Sequence, residues 1–274
     1  MKNGLHWFSA EVLGTFLLVL FGCGSVATSV AMGAPAGLFQ VAIVWGLGLS
    51  LAIALTGPHS GAHLNPAITI AFAVWTDFPK SRIPGYIVAQ FIGAFLAAVV
   101  VYLLFGPAIR VFETSHQLVR GLPGSEASAM IFGEYFPNPG GAARTEGSAA
   151  QVGPMQALLA EFLGTALLAM GIFALTSKGN PFPPGRATPL AIGLMLTALI
   201  CLFAPVSMAG FNPARDLAPR LFSTLVGWKS YPFTANGSGW LTVYVVAPIL
   251  GAVVGGWFGG KIFPLAEPAE ATED

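Results

Sequence analysis

The chain has 274 residues, of which 55% are hydrophobic and only 9% are charged. A soluble domain carries roughly a quarter charged residues, so this composition excludes a soluble globular protein. The 12 basic residues balance 12 acidic ones and form no basic stripe, which argues against a nucleic-acid partner and indicates a lipid bilayer as the environment.

Apolar runs long enough to cross a hydrocarbon core of roughly 30 Å recur along the chain. They predict transmembrane spans at 5–30, 37–55, 83–105, 155–175, 187–204 and 239–262. The first run carries Glu11 and lacks an Ala-x-Ala cleavage site, so we expect it to remain as a span rather than to be removed as a signal peptide. Cys23 and Cys201 lie inside such runs, where we interpret them as small hydrophobic residues and not as disulfide partners or metal ligands.

An internal repeat divides the chain into two copies of one unit. The Ala-Glu-x-x-Gly-Thr segment that contains Glu11 recurs around Glu161, and an Asn-Pro-Ala segment occurs twice. Because each copy has an odd number of spans, the second copy must enter the membrane from the opposite side. Two further apolar segments, 65–75 and 212–225, are too short to span and are predicted to be half-helices. The predicted fold is therefore an all-α membrane protein with six transmembrane helices and two re-entrant half-helices in an inverted three-plus-three repeat.

The predicted boundaries follow from this repeat. Residues 1–106 form the first repeat, 107–153 a long extramembrane loop, 154–265 the second repeat and 266–274 an acidic tail. Basic residues of the short connections and of the chain ends fall on one side, which is predicted to be cytoplasmic together with both termini. These residues are Lys2, Lys80, Arg82, Lys178, Arg186 and Lys261.

The two Asn-Pro-Ala segments predict where the half-helices begin. Pro66 and Pro213 suit the first position of a helix, since proline lacks only an N–H that would be unpaired there, and the preceding Asn65 and Asn212 can cap each helix. Inversion brings both N-termini together near the bilayer midplane, each with roughly half a positive charge. A cation that meets both helix ends would be repelled.

Irregular backbone at membrane depth must be buried in protein or line a polar path. The segments 59–64 and 205–211, which precede the half-helices, are therefore predicted to present carbonyl groups to such a path, with the asparagine amides as donors at its centre. This pattern suits a file of neutral, hydroxyl-bearing molecules. The predicted pore-lining carbonyls belong to Gly61, Ala62, His63, Met208, Ala209 and Gly210, and the central motifs are Asn65-Pro66-Ala67 and Asn212-Pro213-Ala214.

Two acidic residues inside spans are functional candidates, because an ionisable group in the bilayer is costly. Glu11 and Glu161 occupy equivalent repeat positions, so we favour a shared loop-supporting role in which each accepts hydrogen bonds from its own re-entrant loop. The alternative is a proton-coupling carboxylate. His59 and His63 are four residues apart but have no acidic third ligand nearby, so no metal site is expected.

Arg215 stands in the first turn of the second half-helix, where the helix dipole disfavours a cation. This placement indicates a role in the pore, with the neighbouring Asp216 offering a partial counter-charge; an Arg–Asp pair facing solvent is the alternative. Ile68 and Thr69 occupy the equivalent place in the first half, so the fold itself does not require the charge. Asn236 heads a glycosylation-type sequence that is more simply a turn.

Taken together, these motifs resemble the aquaporin and aquaglyceroporin family of passive channels, over essentially residues 5–262. Within it the chain is similar to the glycerol-facilitator branch, above all because Asp216 follows Arg215. Other segments that carry this likeness are Trp45 to Gly48, Ser60 to Ala67 and Tyr135 to Pro139. The resemblance implies a homotetramer with a pore in each subunit, in the plasma membrane, and a selectivity filter formed by Trp45, Ile200, Ala209 and Arg215.

The filter departs from that of the usual glycerol facilitator. The resemblance implies a Gly where this chain has Ile200 and a Phe where it has Ala209. Water-selective members carry His at the Ile200 position, so its absence argues against strict water selectivity. The combination is similar to that of nodulin-26-like members that pass water and glycerol. Phe211 is a candidate to refill the space at Ala209.

The predicted function is a passive channel for glycerol and similar small uncharged solutes that also passes water and excludes ions and protons. No catalytic residues and no cofactors are predicted. The alternatives are a mainly water-conducting aquaporin and, from another class, an ion-coupled secondary transporter. An intramembrane hydrolase would need a Ser/His/Asp or metal set that is not visible, and a scaffolding role would leave Arg215 and the two asparagines unexplained.

Overall fold

The computed structural model describes residues 6–34, 37–140 and 152–263. Within these ranges the chain is helical without a strand, and six helices are long and apolar enough to cross a membrane, which confirms the predicted fold class. The predicted acidic tail at 266–274 lies outside the described residues.

Each half contributes three spans and one half-helix. The helices of the first half are α1 (Trp7–Met32), α2 (Leu38–Ser60), α3 (Pro66–Trp75) and α4 (Ile83–Ser115). A short α5 (Glu126–Ala129) lies in the connecting segment, and the second half begins with α6 (Pro154–Thr176), α7 (Thr188–Ser207) and α8 (Pro213–Ser223). After the short α9 (Tyr231–Thr234), the last span consists of α10 (Gly239–Leu241), a π-helical turn (Thr242–Val246) and α11 (Ala247–Ile262).

The packing of one half repeats that of the other. Helix α1 lies along α2 and α4, as α6 lies along α7 and α11, and α2 packs against α7 between the halves. Each half-helix crosses into the opposite half, since α3 packs against α11 and α8 packs against α4. This exchange interlocks the two halves around the half-helices.

Small residues allow the halves to approach closely where α2 crosses α7. A Cβ atom on Gly46 would clash with the backbone carbonyl of Gly193, and one on Gly193 would clash with the carbonyl of Gly46. In lipid, where water does not drive helices together, such close backbone packing is a main source of association. Any larger residue at either position is expected to push α2 and α7 apart.

Several helices end later than hydropathy predicts. Helix α4 continues past the predicted boundary at 106 to Ser115, because its polar last turn is anchored: Glu113 accepts hydrogen bonds from Arg120 and Ser128. Helices α2 and α7 pass through Pro58 and Pro205, since a proline near a helix end removes only one backbone hydrogen bond. The irregular segments are consequently shorter than predicted, 61–64 and 208–211 rather than 59–64 and 205–211.

The described part of the connecting loop is folded into the protein rather than lying on its surface. Ile131 and Phe132 are fully buried, and the Phe132 ring packs against Phe222 of the half-helix α8 and against Trp228, which follows α8. The Gly, Pro, Ser and charged residues that predict a surface loop lie mostly at 106–140, within the described residues, so composition alone does not distinguish this buried segment from an exposed one. The loop therefore positions residues next to α8.

Candidate functional site

The two half-helices begin at the predicted asparagines. The Asn65 side chain accepts a hydrogen bond from the backbone of Ala67 at 2.8 Å, and Asn212 accepts one from Ala214 at 3.0 Å, as N-cap residues do. Pro66 and Pro213 occupy the first helical positions.

Each asparagine also reaches across to the opposite half. The Asn65 Nδ2 donates to the carbonyl of Phe211 and the Asn212 Nδ2 donates to the carbonyl of Leu64, both at 2.8 Å. A primary amide carries two N–H donors, so each asparagine keeps one donor beyond this cross-link. The two half-helices thus meet N-terminus to N-terminus, and their positive dipole ends face each other.

The irregular segments before the half-helices have equivalent backbone conformations. Ala62 and Leu64 have φ values of 50° and 53°, and Ala209 and Phe211 have values of 62° and 51°. Left-handed conformations at non-glycine residues cost of order 1 kcal/mol each and persist only where surrounding contacts impose them.

In the first half, Glu11 imposes the conformation. Its carboxylate accepts hydrogen bonds from the backbone N–H groups of His63 and Leu64 at 2.9 Å and from the Ser60 hydroxyl at 2.7 Å. Gln90 adds a fourth donor at 2.8 Å. This is the geometry that the predicted loop-supporting role requires.

Glu161 makes the matching contacts in the second half. It accepts from the backbone N–H groups of Gly210 and Phe211 at 2.8 and 2.7 Å and from the Ser207 hydroxyl at 2.7 Å. Sequence reasoning missed the tyrosines that complete both sites: Tyr86 donates to the Ser60 carbonyl and Tyr244 to the Ser207 carbonyl. They lie 21 residues after Asn65 and 32 residues after Asn212, so their spacing carries no repeat signal that the sequence could have offered.

A cavity of about 730 Å³ runs along the bundle past both asparagines. Its lining includes Leu38 near the start of α2 and Ile53 further along the same helix, positions about 22 Å apart at the helical rise. The other lining residues on α6 and α7, among them Leu168, Ile172 and Ile192, are mostly aliphatic. The cavity therefore has apolar walls and a polar stripe, which the half-helix region supplies.

Most of the predicted pore residues line this cavity, and a few do not. Those that line it are Trp45, Ala62, His63, Asn65, Ile200, Met208, Ala209, Gly210, Asn212 and Arg215. Gly61, Pro66, Ala67, Pro213, Ala214 and Asp216 are not among its lining residues, and neither are Glu11 and Glu161. The buried first residues of the half-helices α3 and α8 lie behind the residues that line the cavity.

The four predicted filter residues lie along the same cavity. The Arg215 guanidinium carbon is 4.4 Å from the centroid of the Trp45 ring, a cation–π contact, and Ile200 and Ala209 complete the set. Phe211 does not refill the space at Ala209, because its ring packs against Gly164 of α6 and edge-on against Phe203. The roles of the four filter residues in selectivity remain predictions.

The counter-charge of Arg215 differs from the one expected. Arg215 is only 3% exposed, which contradicts the solvent-facing alternative, and its Nη2 lies 2.5 Å from a carboxylate oxygen of Glu134. Asp216 instead pairs with Arg220, one turn further along α8, at 2.8 Å. The side chain at i+4 on a helix is the closer neighbour, whereas adjacent residues point in different directions.

Sequence reasoning missed Glu134 because it belongs to the connecting loop. Its carboxylate is 1% exposed and lines the cavity. Burial raises the pKa of the Glu134 carboxyl to about 8, while the neighbouring Arg215 guanidinium favours the charged form. The available signal was only its position directly before the Tyr135 to Pro139 segment, which carries the family likeness.

The remaining candidates have local roles. His63 stacks on Phe72 and its Nδ1 lies 3.2 Å from the Thr69 hydroxyl, while Cys23 and Cys201 are free thiols. The Asn236 carbonyl accepts a hydrogen bond from the Gly239 N–H at 2.9 Å, as in the predicted turn, and its side-chain amide bonds the backbone of Phe136 in the connecting loop.

Comparison with known proteins places these features in context. The family model described as major intrinsic protein matches residues 2–258. A propanediol uptake facilitator from Salmonella typhimurium is 39% identical over 260 residues, covering 93% of this chain and 94% of that protein. A glycerol uptake facilitator from Pseudomonas aeruginosa is 42% identical over 247 residues, covering 90% of this chain and 84% of that protein. The X-ray structure of the aquaglyceroporin from Plasmodium falciparum matches with a TM-score of 0.76 at 25% identity, covering 93% of this chain and 95% of that one.

Proposed function

Because this chain belongs to the major intrinsic protein family, we propose that it is a passive membrane channel for glycerol and related small uncharged solutes, with water passing through the same pore. The observation that carries the proposal is the cavity that runs along the helices past both half-helix starts. The names of the relatives, glycerol and propanediol uptake facilitators, support the same class of solute.

The cavity has the chemistry that a polyol requires. Trp45 and Ile200 offer apolar surface to a carbon backbone, while Arg215 offers N–H donors to hydroxyl oxygens. Deeper in the cavity, Asn65 and Asn212 each keep one amide N–H that a passing hydroxyl can accept. A solute with both an apolar backbone and hydroxyl groups fits this lining. An ion that enters the cavity loses its hydration shell, and the lining does not replace all of the lost contacts.

Ion and proton exclusion is attributed to the joined half-helix ends together with Arg215. Both helix N-termini direct their positive dipole ends to the same level of the cavity, and a cation there is repelled without a narrow constriction. The width of the pore and the positive charge inside it therefore contribute separately to the exclusion of ions.

The carboxylates inside the spans favour a channel over an ion-coupled transporter. Glu161 accepts three hydrogen bonds and Glu11 accepts four, so a coupling proton would have to displace donors that hold the re-entrant loops. We assign no catalytic activity and no cofactor to the protein. We further propose a homotetramer in the plasma membrane, with both chain termini in the cytoplasm, on the basis of the basic connections and the family resemblance.

The decisive experiment measures solute flux in proteoliposomes. Downhill glycerol flux should exceed that of empty liposomes and should not change when a pH or sodium gradient is imposed. Uphill glycerol accumulation driven by either gradient would refute the channel. Parallel stopped-flow traces for water and urea rank the solutes, and a vesicle that passes water but not glycerol would favour the mainly water-conducting alternative. Cross-linking of the purified protein in detergent checks for the tetramer.

A further inference from the structure

The connecting loop brings a carboxylate to the selectivity filter, where the filter set assigned from the repeat motifs contains none. Glu134 Oε1 pairs with Arg215, and Glu134 Oε2 is buried without a hydrogen-bond partner among the described residues. A buried carboxylate oxygen without a donor is costly unless something in the cavity supplies one. Since Glu134 lines the cavity, a passing solute is the available donor.

The position of Glu134 is fixed through its backbone and does not depend on its side chain. Its N–H donates to Asp216 Oδ1 at 2.7 Å, and its carbonyl accepts a hydrogen bond from Arg220. Asp216 and Arg220 also pair with each other, so one buried network on α8 holds both the loop and the helix that carries Arg215. This gives Asp216, which does not line the cavity, a positioning role.

The Glu134 side chain also lies beside the wall that Ala209 leaves set back. A Cβ atom on Gly210, the next residue, would lie only 3.2 Å from Glu134 Cγ. Glu134 and Ala209 both line the cavity, so the carboxylate and the small side chain at the filter belong to the same polar path.

We propose that Glu134 is a fifth filter residue, which in its charged form neutralises Arg215 and accepts a hydrogen bond from a hydroxyl group of the passing polyol. A hydroxyl is both donor and acceptor, so one solute oxygen can accept from Arg215 while its proton is donated to Glu134. Glycerol benefits more than water, because glycerol gives up hydration at three hydroxyls in the filter whereas water molecules in a file bond to one another. The inference rests on the proposed channel function.

The test is Glu134→Gln, which keeps the size of the side chain. The Gln oxygen is expected to face Arg215, so that an NH₂ donor replaces the acceptor towards the cavity. The glycerol-to-water permeability ratio should fall about fivefold, the effect of one net hydrogen bond, and a chloride leak should appear because Arg215 is no longer neutralised. The matched control is Glu126→Gln, in the same loop, whose carboxylate bonds Tyr231 and the Gly124 backbone and does not line the cavity.

A pH profile separates a filter role from a structural one. The charged groups around Glu134 are Arg215, Asp216 and Arg220 of α8 and Glu161 of α6, with the phenol of Tyr244 beside them. Below pH 8 the Glu134 carboxyl becomes neutral, so the parent at pH 6 should resemble Glu134→Gln and at pH 9 should show the higher ratio. Glu134→Gln should show no such step. If this variant fails to fold, the step is measured in a His116→Gln background, which removes the exposed histidine of the cavity lining.

Two results overturn the inference. One is a Glu134→Gln protein with the parent ratio and no chloride leak, and the other is a parent ratio that is flat between pH 6 and pH 9. Either result leaves the channel function intact if the parent still passes glycerol. If the parent passes no glycerol, the proposed function fails instead, so the two failures are distinguishable.

Discussion

The two re-entrant loops share one scaffold but carry different charges. In each half a buried glutamate holds two loop N–H groups and a serine hydroxyl, a tyrosine caps the serine carbonyl, and an asparagine bonds across to the other loop. At the start of the half-helix, however, the first half has the neutral Ile68 and Thr69 where the second has Arg215 and Asp216. Both halves thus contain the same loop contacts, whereas charged residues stand at the start of only the second half-helix.

The difference extends to the surroundings of each loop. On the first side, Gln90 links Glu11 and Thr69 through neutral hydrogen bonds. On the second side, Arg215, Glu134, Asp216 and Arg220 form two buried ion pairs. A buried charge requires a partner, and the connecting loop supplies Glu134 as the partner of Arg215. We therefore propose that selectivity depends on the second half, which the connecting loop covers.

The largest effect is expected from the shared scaffold. Glu11→Ala and Glu161→Ala should each destabilise the protein by about 4 kcal/mol or more, because several charge-assisted hydrogen bonds are lost and strained backbone is released. Thermal unfolding in detergent and the yield in the membrane measure this, with Glu126→Ala as the loop control. If one half tolerated the change and the other did not, the two scaffolds would not be equivalent.

The second effect concerns charge. Arg215→Met removes the charge and keeps a long unbranched side chain, so glycerol flux should persist while proton and cation leak rises about tenfold, equivalent to about 1.4 kcal/mol of lost repulsion. A dye assay on proteoliposomes reports the leak. The matched change in the first half, Ile68→Met, should leak no more than the parent. A proton-tight Arg215→Met would assign the whole barrier to the half-helix ends.

The third effect concerns the apolar wall of the filter. Ile200→His narrows the slot and removes apolar contact, so the glycerol-to-water ratio should fall roughly fivefold, whereas Ile200→Gly should raise glycerol or urea passage. Stopped-flow measurements compare these variants with Ile192→His, at a cavity-lining position nearer the start of α7. An unchanged ratio in Ile200→His would mean that Ile200 does not act in the filter.

The smallest effect tests the neutral network of the first half. Gln90→Leu removes one donor from Glu11 and leaves it with three, the number that Glu161 has among the described residues. We expect a loss of about 1 kcal/mol in unfolding free energy and no change in solute selectivity. A change in the glycerol-to-water ratio would show that the first half also contributes to selectivity.

The sequence by itself determined the six spans, the repeat, the starts of the half-helices and the positions of the two buried glutamates. All of these are written in local patterns: hydropathy over about 20 residues, a proline at a helix start, and motifs that occur twice. Such signals survive without knowledge of tertiary contacts because each concerns neighbouring residues or an identical copy.

Only the tertiary structure decided what surrounds the filter. Glu134 is separated from Arg215 by 81 positions in the chain, and nothing in the loop composition distinguishes it from a solvated acid. The same holds for the pairing of Asp216 with Arg220 and for the Phe211 ring, which packs against Gly164 of α6. Side-chain partners across elements depend on how helices pack and where a loop folds back, and a single sequence does not encode these contacts locally.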